Sequence, residues 1–329
     1  MDLKPSLSIR LLAGMLCAGL LAVALPSAAT AAPGHFRGVV TKPTTAGRAY
    51  KAKIHSASTR RRSTSNMTYH SGPVMHTDAN YAIYWAPSGY SFSAGYTSLI
   101  SQFFGNVAAA DGTATNDYSV ARQYHDSSGT GFSYGASSGG SYNDTDPYPA
   151  NGCNANAGSG TCITDSQLQA EVNKFVTAHA LPRGLGAMYF VYFPSGVATC
   201  FDSSGSQCST NVYCAYHSSL GSGPSSTLYA NMPYAGVPGC ESGQYPNGNV
   251  AADSVLNVTS HENIEGITDP LGNAWYDSRG NEIGDKCNFN FGAPLGGTAG
   301  HEYNEAISTG KYWLQQEWSN ANSGCVQHA

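Results

Sequence analysis

The stretch Ser260-His261-Glu262-Asn263-Ile264-Glu265 has the residue types of a zinc-peptidase helix, His-Glu-x-x-His, with glutamate in place of the second histidine. On a helix, residues four apart share a face, so His261 and Glu265 project together and Glu262 points about 100° away. In zinc peptidases, two ligands at this spacing hold the metal. The glutamate after the first ligand is the general base for the metal-bound water. Carboxylate oxygen is a sound zinc ligand, so Glu265 can stand in for histidine. The extra negative charge makes bound water less acidic and the site less selective against harder ions such as manganese. The expected cofactor is zinc, with manganese or another divalent ion as the alternative, and Glu262 is the expected catalytic base.

Two ligands do not make a site. The segment Gly280-Asn281-Glu282-Ile283-Gly284-Asp285-Lys286-Cys287 offers Glu282 and Asp285 as a third, and His217 is a further candidate. Asp269, just before Pro270, reads as a cap or turn residue. A second His-Glu-x-x-Glu runs from His301 to Glu305, but in Gly-rich surroundings that read as loop. The pattern therefore needs support from position, the competing reading being a polar helix face.

The elements that would position these groups are legible in outline. Asn80–Pro87 alternates as a strand, and Tyr96–Ala110 places Leu99, Ile100, Phe103, Phe104 and Val107 at helical spacing. Asn116–Tyr124 reads as a strand and Ser127–Thr161 as a long Gly/Ser/Asn-rich loop. Acids in Asn143–Pro147 suit turn chemistry better than a calcium site. Thr164 or Asp165 caps a helix lined by Leu168, Val172, Phe175 and Val176. Gly186–Pro194 and Ser226–Tyr234 read as strands. Asp253 opens the motif helix, which ends near Ile267, and Lys311–Trp318 is a further strand. This predicts a mixed α/β (α+β) fold: a sheet with packed helices, one carrying the motif, and long disulfide-tied loops.

Residues 1–31 read as a signal peptide. Lys4 and Arg10 precede the apolar run Leu11–Leu25, and Ala29-Thr30-Ala31 offers a cleavage site. The run is short of the ~20 residues a membrane span needs, and no later segment qualifies. Residues 32–70 are basic, with eight Lys/Arg and no acids between Pro33 and Asn66. They read as a disordered tether, or a pro-segment cut near Arg60-Arg61-Arg62. Residues 71–329 are expected to form one globular domain, with the motif-bearing half at about 205–329. From Met67 onward there are six Lys/Arg against twenty Asp/Glu, which argues against a nucleic-acid partner. Cys17 falls in the leader, leaving eight cysteines and 105 conceivable pairings. Cys153–Cys162 and Cys200–Cys208 are spaced to staple loops, and Cys287–Cys325 would tie the C-terminus to the segment after the motif. All of this suits an exported protein.

The run Asn247–Cys287, followed by Lys311–Val326, resembles the phosphate-induced, EXORDIUM-type secreted proteins. The shared order is an Asn-Gly-Asn start, His261, Glu262 and Glu265 on a helix, Pro270, Asn273 to Tyr276, Glu282, Asp285, Cys287, Trp318-Ser319 and Cys325. Cys214 to Tyr216 also fits. The resemblance implies an extracellular or cell-wall location. It supports Glu265 as an intended residue and favours Glu282 or Asp285 over His217 as third ligand. Two functions follow: a secreted metal-dependent hydrolase acting on peptide or protein, or a non-enzymatic protein of the cell envelope. The first requires His261, Glu265 and one downstream acid to converge around an open position.

Overall fold

The computed structural model describes residue 1 and residues 37–55, 65–150, 152–154 and 160–329. Apart from Met1, the expected leader lies outside the described residues, as does the arginine triplet at 60–62.

Alternation along the central strands serves two cores. In Thr77–Trp85, Ala82 and Tyr84 enter one core, while Tyr81, Ile83 and Trp85 enter the other. In Ala187–Tyr192, Met188, Phe190 and Tyr192 oppose Tyr189 and Val191 in the same way. A strand apolar on both faces requires a covering layer on each side. The sheet comprises β1 (Arg37–Thr41), β2 (Thr77–Trp85), β3 (Gly135–Asp144), β4 (Ala187–Tyr192), β5 (Tyr213–Leu220) and β6 (Thr227–Met232). Its spatial order is β1-β5-β6-β4-β2-β3. β2 runs parallel to β3 and β4, and β4 to β6; β5 is antiparallel to both β6 and β1.

Four α-helices flank the sheet: α1 (Thr45–His55), α2 (Tyr96–Ala109), α3 (Asp165–Ala178) and α4 (Val250–Thr268). α2 and α4 pack on one face, α1 and α3 on the other. The mixed α/β expectation therefore holds. α3 begins with a capping box in which the Thr164 side chain and Gln167 satisfy each other's backbone N–H groups. Among the described residues, no helix is long and apolar enough to cross a membrane. All eight described cysteines pair, as Cys153–Cys162, Cys200–Cys208, Cys214–Cys240 and Cys287–Cys325.

Several local expectations are corrected. Residues 37–55, read as part of a disordered tether, form β1 and α1, and Val39 and Val40 pair with Tyr216 and Ala215 of β5. Val39 and Val40 are buried, one in each core, and that burial offsets the ordering cost. Asp117–Gln123 is a 3-10 helix rather than a strand. There the Asp117 carboxylate takes the Tyr118 N–H, and Glu305 Oε1 takes that of Asp117, diverting the backbone from extended pairing. The expected loop 127–161 contains β3, a Gly/Ser-rich edge strand that pairs only with β2. Lys311–Trp318 is divided between two ribbons, Glu305–Ile307 with Gly310–Tyr312 and Glu317–Ser319 with Gly324–Val326. The motif helix starts a turn before the expected cap. Asn249 accepts the Ala252 N–H, and Asp253 sits within the first turn, accepting from Asn247 and Asn249.

Candidate metal centre

α4 is buried from Ala251 to Thr268 although half its residues are polar. It lies between the sheet and the C-terminal ribbons, so its polar side chains need internal partners. Apart from His261, Glu262 and Glu265, most of them have such partners. Asn263 Nδ2 donates to Asp78 Oδ2 at 2.9 Å and its Oδ1 accepts from the Tyr118 hydroxyl at 2.9 Å. Ser260 Oγ donates to Asp117 Oδ2, and Asn257 Oδ1 accepts the Gln315 N–H at 2.8 Å. A solvated polar face is therefore excluded for this helix.

The motif groups behave differently. His261, Glu262, Glu265 and Glu282 are fully buried, His217 is 3% exposed and Asp285 9%. His261 Nε2 lies 3.1 Å from Glu265 Oε1 without completing an ordinary hydrogen bond. The Asp285 backbone N–H donates to the same Oε1 at 2.8 Å. On the other side, His217 Nδ1 is 3.0 Å from Glu262 Oε2 and 3.8 Å from Glu265 Oε2, and its Nε2 is 3.8 Å from Glu282 Oε2. Two triads result, His261/Glu265/Asp285 and His217/Glu265/Glu282, with ligand atoms in each lying within 4.8 Å of one another. Glu282 and Asp285, weighed as alternatives for one third position, are both present on opposite sides of Glu265. His217, the less favoured candidate, is central.

The second motif copy does not converge. His301 is exposed in a loop with Nδ1 against the Tyr245 carbonyl, and Glu305 begins a ribbon. Asp269 is the C-cap residue of α4, and its Oδ1 accepts the N–H groups of Asn273 and Ala274 at 2.6 Å each.

Three pieces of backbone position the centre around α4. β5 presents His217 on the same side as Ala215, toward α4. The Glu282–Asp285 turn is held by the Cys287–Cys325 bridge immediately after it. Gly284 brings that turn against the His261 ring, where a Cβ would lie 2.8 Å from Nδ1. β1 closes the top. Gly38, at φ +58°, lies so close that any side chain there would collide with the His217 ring and Glu265 Oε2. The Val40 backbone lies beside Glu262 and acts to lower its pKa. Sequence reading missed Gly38 and Gly284. Nothing in a lone glycine signals which distant side chain its backbone will approach.

Burial, then the Glu265 and Asp285 carboxylates, push Glu262 well above the ordinary carboxyl range. Glu282 is raised well above it by burial and by Glu265 and Asp269, and Asp285 is raised to about 7 by burial and Glu265. Burial lowers His217 to about 4, which leaves it neutral, the form that ligates metal. Burial acts against the His261 cation, but the Glu265 carboxylate outweighs it and raises that imidazole. Glu265 is lowered because His261 and His217 overcome its burial. Glu262 Oε1, Glu265 Oε2 and both Glu282 oxygens lack hydrogen-bond partners. Unpartnered carboxylate oxygens at zero exposure are costly unless a cation or proton meets them. Imidazole nitrogen with carboxylate oxygen is a donor set that zinc and manganese accept. The residues present thus fit a divalent metal.

Comparison with known proteins adds a partial likeness. The chain is 33% identical over 103 residues to Protein EXORDIUM-like 3 of Arabidopsis thaliana. The match takes in 27% of this chain and 31% of that protein's length. No family model matches the chain. No solved structure matches it either.

Proposed function

We propose that the chain is an exported, non-enzymatic protein of the cell envelope, of the EXORDIUM type, whose His/carboxylate centre holds divalent metal as part of the fold. The observation that carries this reading is the closure of the centre. His261, Glu262, Glu265 and Glu282 have no exposed surface, and β1 lies across them. A peptidase must admit a peptide to the metal and leave its base free. Here Glu262 is engaged by the His217 ring. Four disulfides and the partial EXORDIUM likeness support an extracellular setting.

The metallopeptidase reading keeps one specific observation in its favour: His261, Glu265 and Asp285 converge as metal ligands would. In that reading, β1 would have to leave before Glu262 could serve as base to a substrate. Fractionation of the producing cells, with metal analysis and a broad peptide-mixture assay on the recovered protein, separates the two. The envelope reading expects protein in the wall or medium, bound metal, and no cleavage by wild type above a Glu262→Gln control. Cleavage that disappears in Glu262→Gln would replace it with the peptidase reading.

A further inference from the structure

One metal ion cannot use the donors that the fold assembles. Glu265 turns its two oxygens to different histidines, Oε1 to His261 Nε2 at 3.1 Å and Oε2 toward the His217 ring, 3.8 Å from its Nδ1. Each histidine has its own acid from the downstream turn, Asp285 beside His261 and Glu282 beside His217. Two ligands on a tetrahedral ion at about 2.0–2.1 Å lie about 3.3 Å apart; His261 Nε2 and Glu265 Oε1 stand at 3.1 Å, and His217 Nε2 and Glu282 Oε2 at 3.8 Å. His261 Nε2 points at Glu265 Oε1 without completing a hydrogen bond, as two atoms do when aimed at a common third. Glu265 Oε2 and both oxygens of Glu282 are unpartnered and fully buried on the other side.

Charge leads to the same count. Glu262, Glu265, Glu282 and Asp285 place four buried or nearly buried carboxylates together with two histidines. Asp269 sets a fifth buried carboxylate beside Glu282, and a single dication meets only part of the negative charge that this cluster carries once deprotonated. Two dications meet more of it.

Resting on the metal-centre reading above, we infer that the centre is binuclear. Glu265 bridges two divalent cations, one held by His261 and Asp285, the other by His217 and Glu282. Glu262 is then neither ligand nor base but a positioning residue. Its Oε2 holds His217 Nδ1 at 3.0 Å, which fixes the ring so that Nε2 faces Glu282. A carboxylate on the far nitrogen of a ligating histidine is the usual means of fixing tautomer and orientation. Carboxylate-bridged pairs of this kind hold their ions about 3.5–4 Å apart.

The test is stoichiometry, with a magnetic readout that does not depend on any activity. Metal-free full-length protein is titrated with zinc, desalted and analysed for bound metal; a second sample is saturated with manganese and its EPR spectrum recorded. The inference expects two ions per chain and an exchange-coupled manganese spectrum. Glu282→Gln should retain one ion, with the spectrum of an isolated manganese, and Asp285→Asn should retain the other. A wild-type limit of one ion per chain, or an isolated-ion spectrum at saturation, overturns it while leaving a mononuclear centre standing. No bound metal at all defeats the metal-centre reading itself. The wild-type measurements decide the question even if a variant fails to fold, which melting curves would show.

Discussion

Glu262 Oε2 lies 3.0 Å from Nδ1 of His217, a residue 45 positions earlier on a neighbouring strand. This contact joins the motif helix to the sheet and occupies the group that the motif would reserve for catalysis. If Glu262 orients His217, Glu262→Gln keeps the fold but weakens metal binding by about 10–100-fold, the usual cost of losing an orienting carboxylate. Competition with a chelator of known affinity measures this. Unchanged affinity would return Glu262 to the role of a free base.

Gly38 is the residue through which β1 touches the centre. Gly38→Ala would place a methyl group into the His217 ring and Glu265 at a backbone angle that alanine resists. The expected loss is about 1–3 kcal/mol of stability from overpacking, together with weaker metal retention. Denaturant melts with and without added zinc check both. A variant as stable and metal-tight as wild type would show that β1 does not seal the centre.

The helix and the spacing of His261 and Glu265 were legible because periodicity and motif agree. The surroundings of that helix were not. Asn257, Ser260 and Asn263 look like solvent-facing residues, yet their partners Gln315, Asp117 and Asp78 lie 58 to 185 positions away. β1 was hidden by its basic flanks, since two adjacent valines make a weak signal until β5 offers them a partner. β3 was hidden by its glycines and serines, which have little strand preference of their own. The pairing of Glu282 with His217, and of Asp285 with His261, depends on a turn whose position comes from the Cys287–Cys325 bridge and from Gly284 at the His261 ring. Asp269 was rightly read as a cap, though its complete burial and two backbone partners make it more than a surface turn residue.

That bridge has a measurable share of the stability. Cys287 and Cys325 are 38 positions apart, and closing such a loop removes about 4 kcal/mol of unfolded-state entropy in the chain-entropy model. Replacing both by serine should lower unfolding stability by about that amount and loosen the Glu282–Asp285 turn, so that metal is lost at lower denaturant than in wild type. Calorimetry with parallel metal analysis tests it. Equal retention of metal in the variant would mean that the turn is held by its packing alone.

Asp78 supplies a pH dependence away from the ligands. Burial raises it from 3.8 to about 6, against hydrogen bonds from Asn263 and Asn80 that lower it. The folded chain thus holds a proton that the unfolded chain releases. This contribution is fully present below pH ~4, falls as pH rises to ~6, and amounts to about 3 kcal/mol across the window. Asp78→Asn should flatten the stability curve between pH 4 and 6, as melting temperatures taken across that range would show. An unchanged slope would assign the titration to another group.

A buried His/carboxylate centre that holds metal shows itself in the melting temperature of the purified protein across metal removal and return. Ligand linkage predicts a fall on the order of 10 °C after chelation, restored by zinc or manganese and absent in Glu265→Gln. A wild-type melting temperature indifferent both to the chelator and to added zinc and manganese would mean that the centre holds no metal. The centre would then be a buried cluster of shared protons.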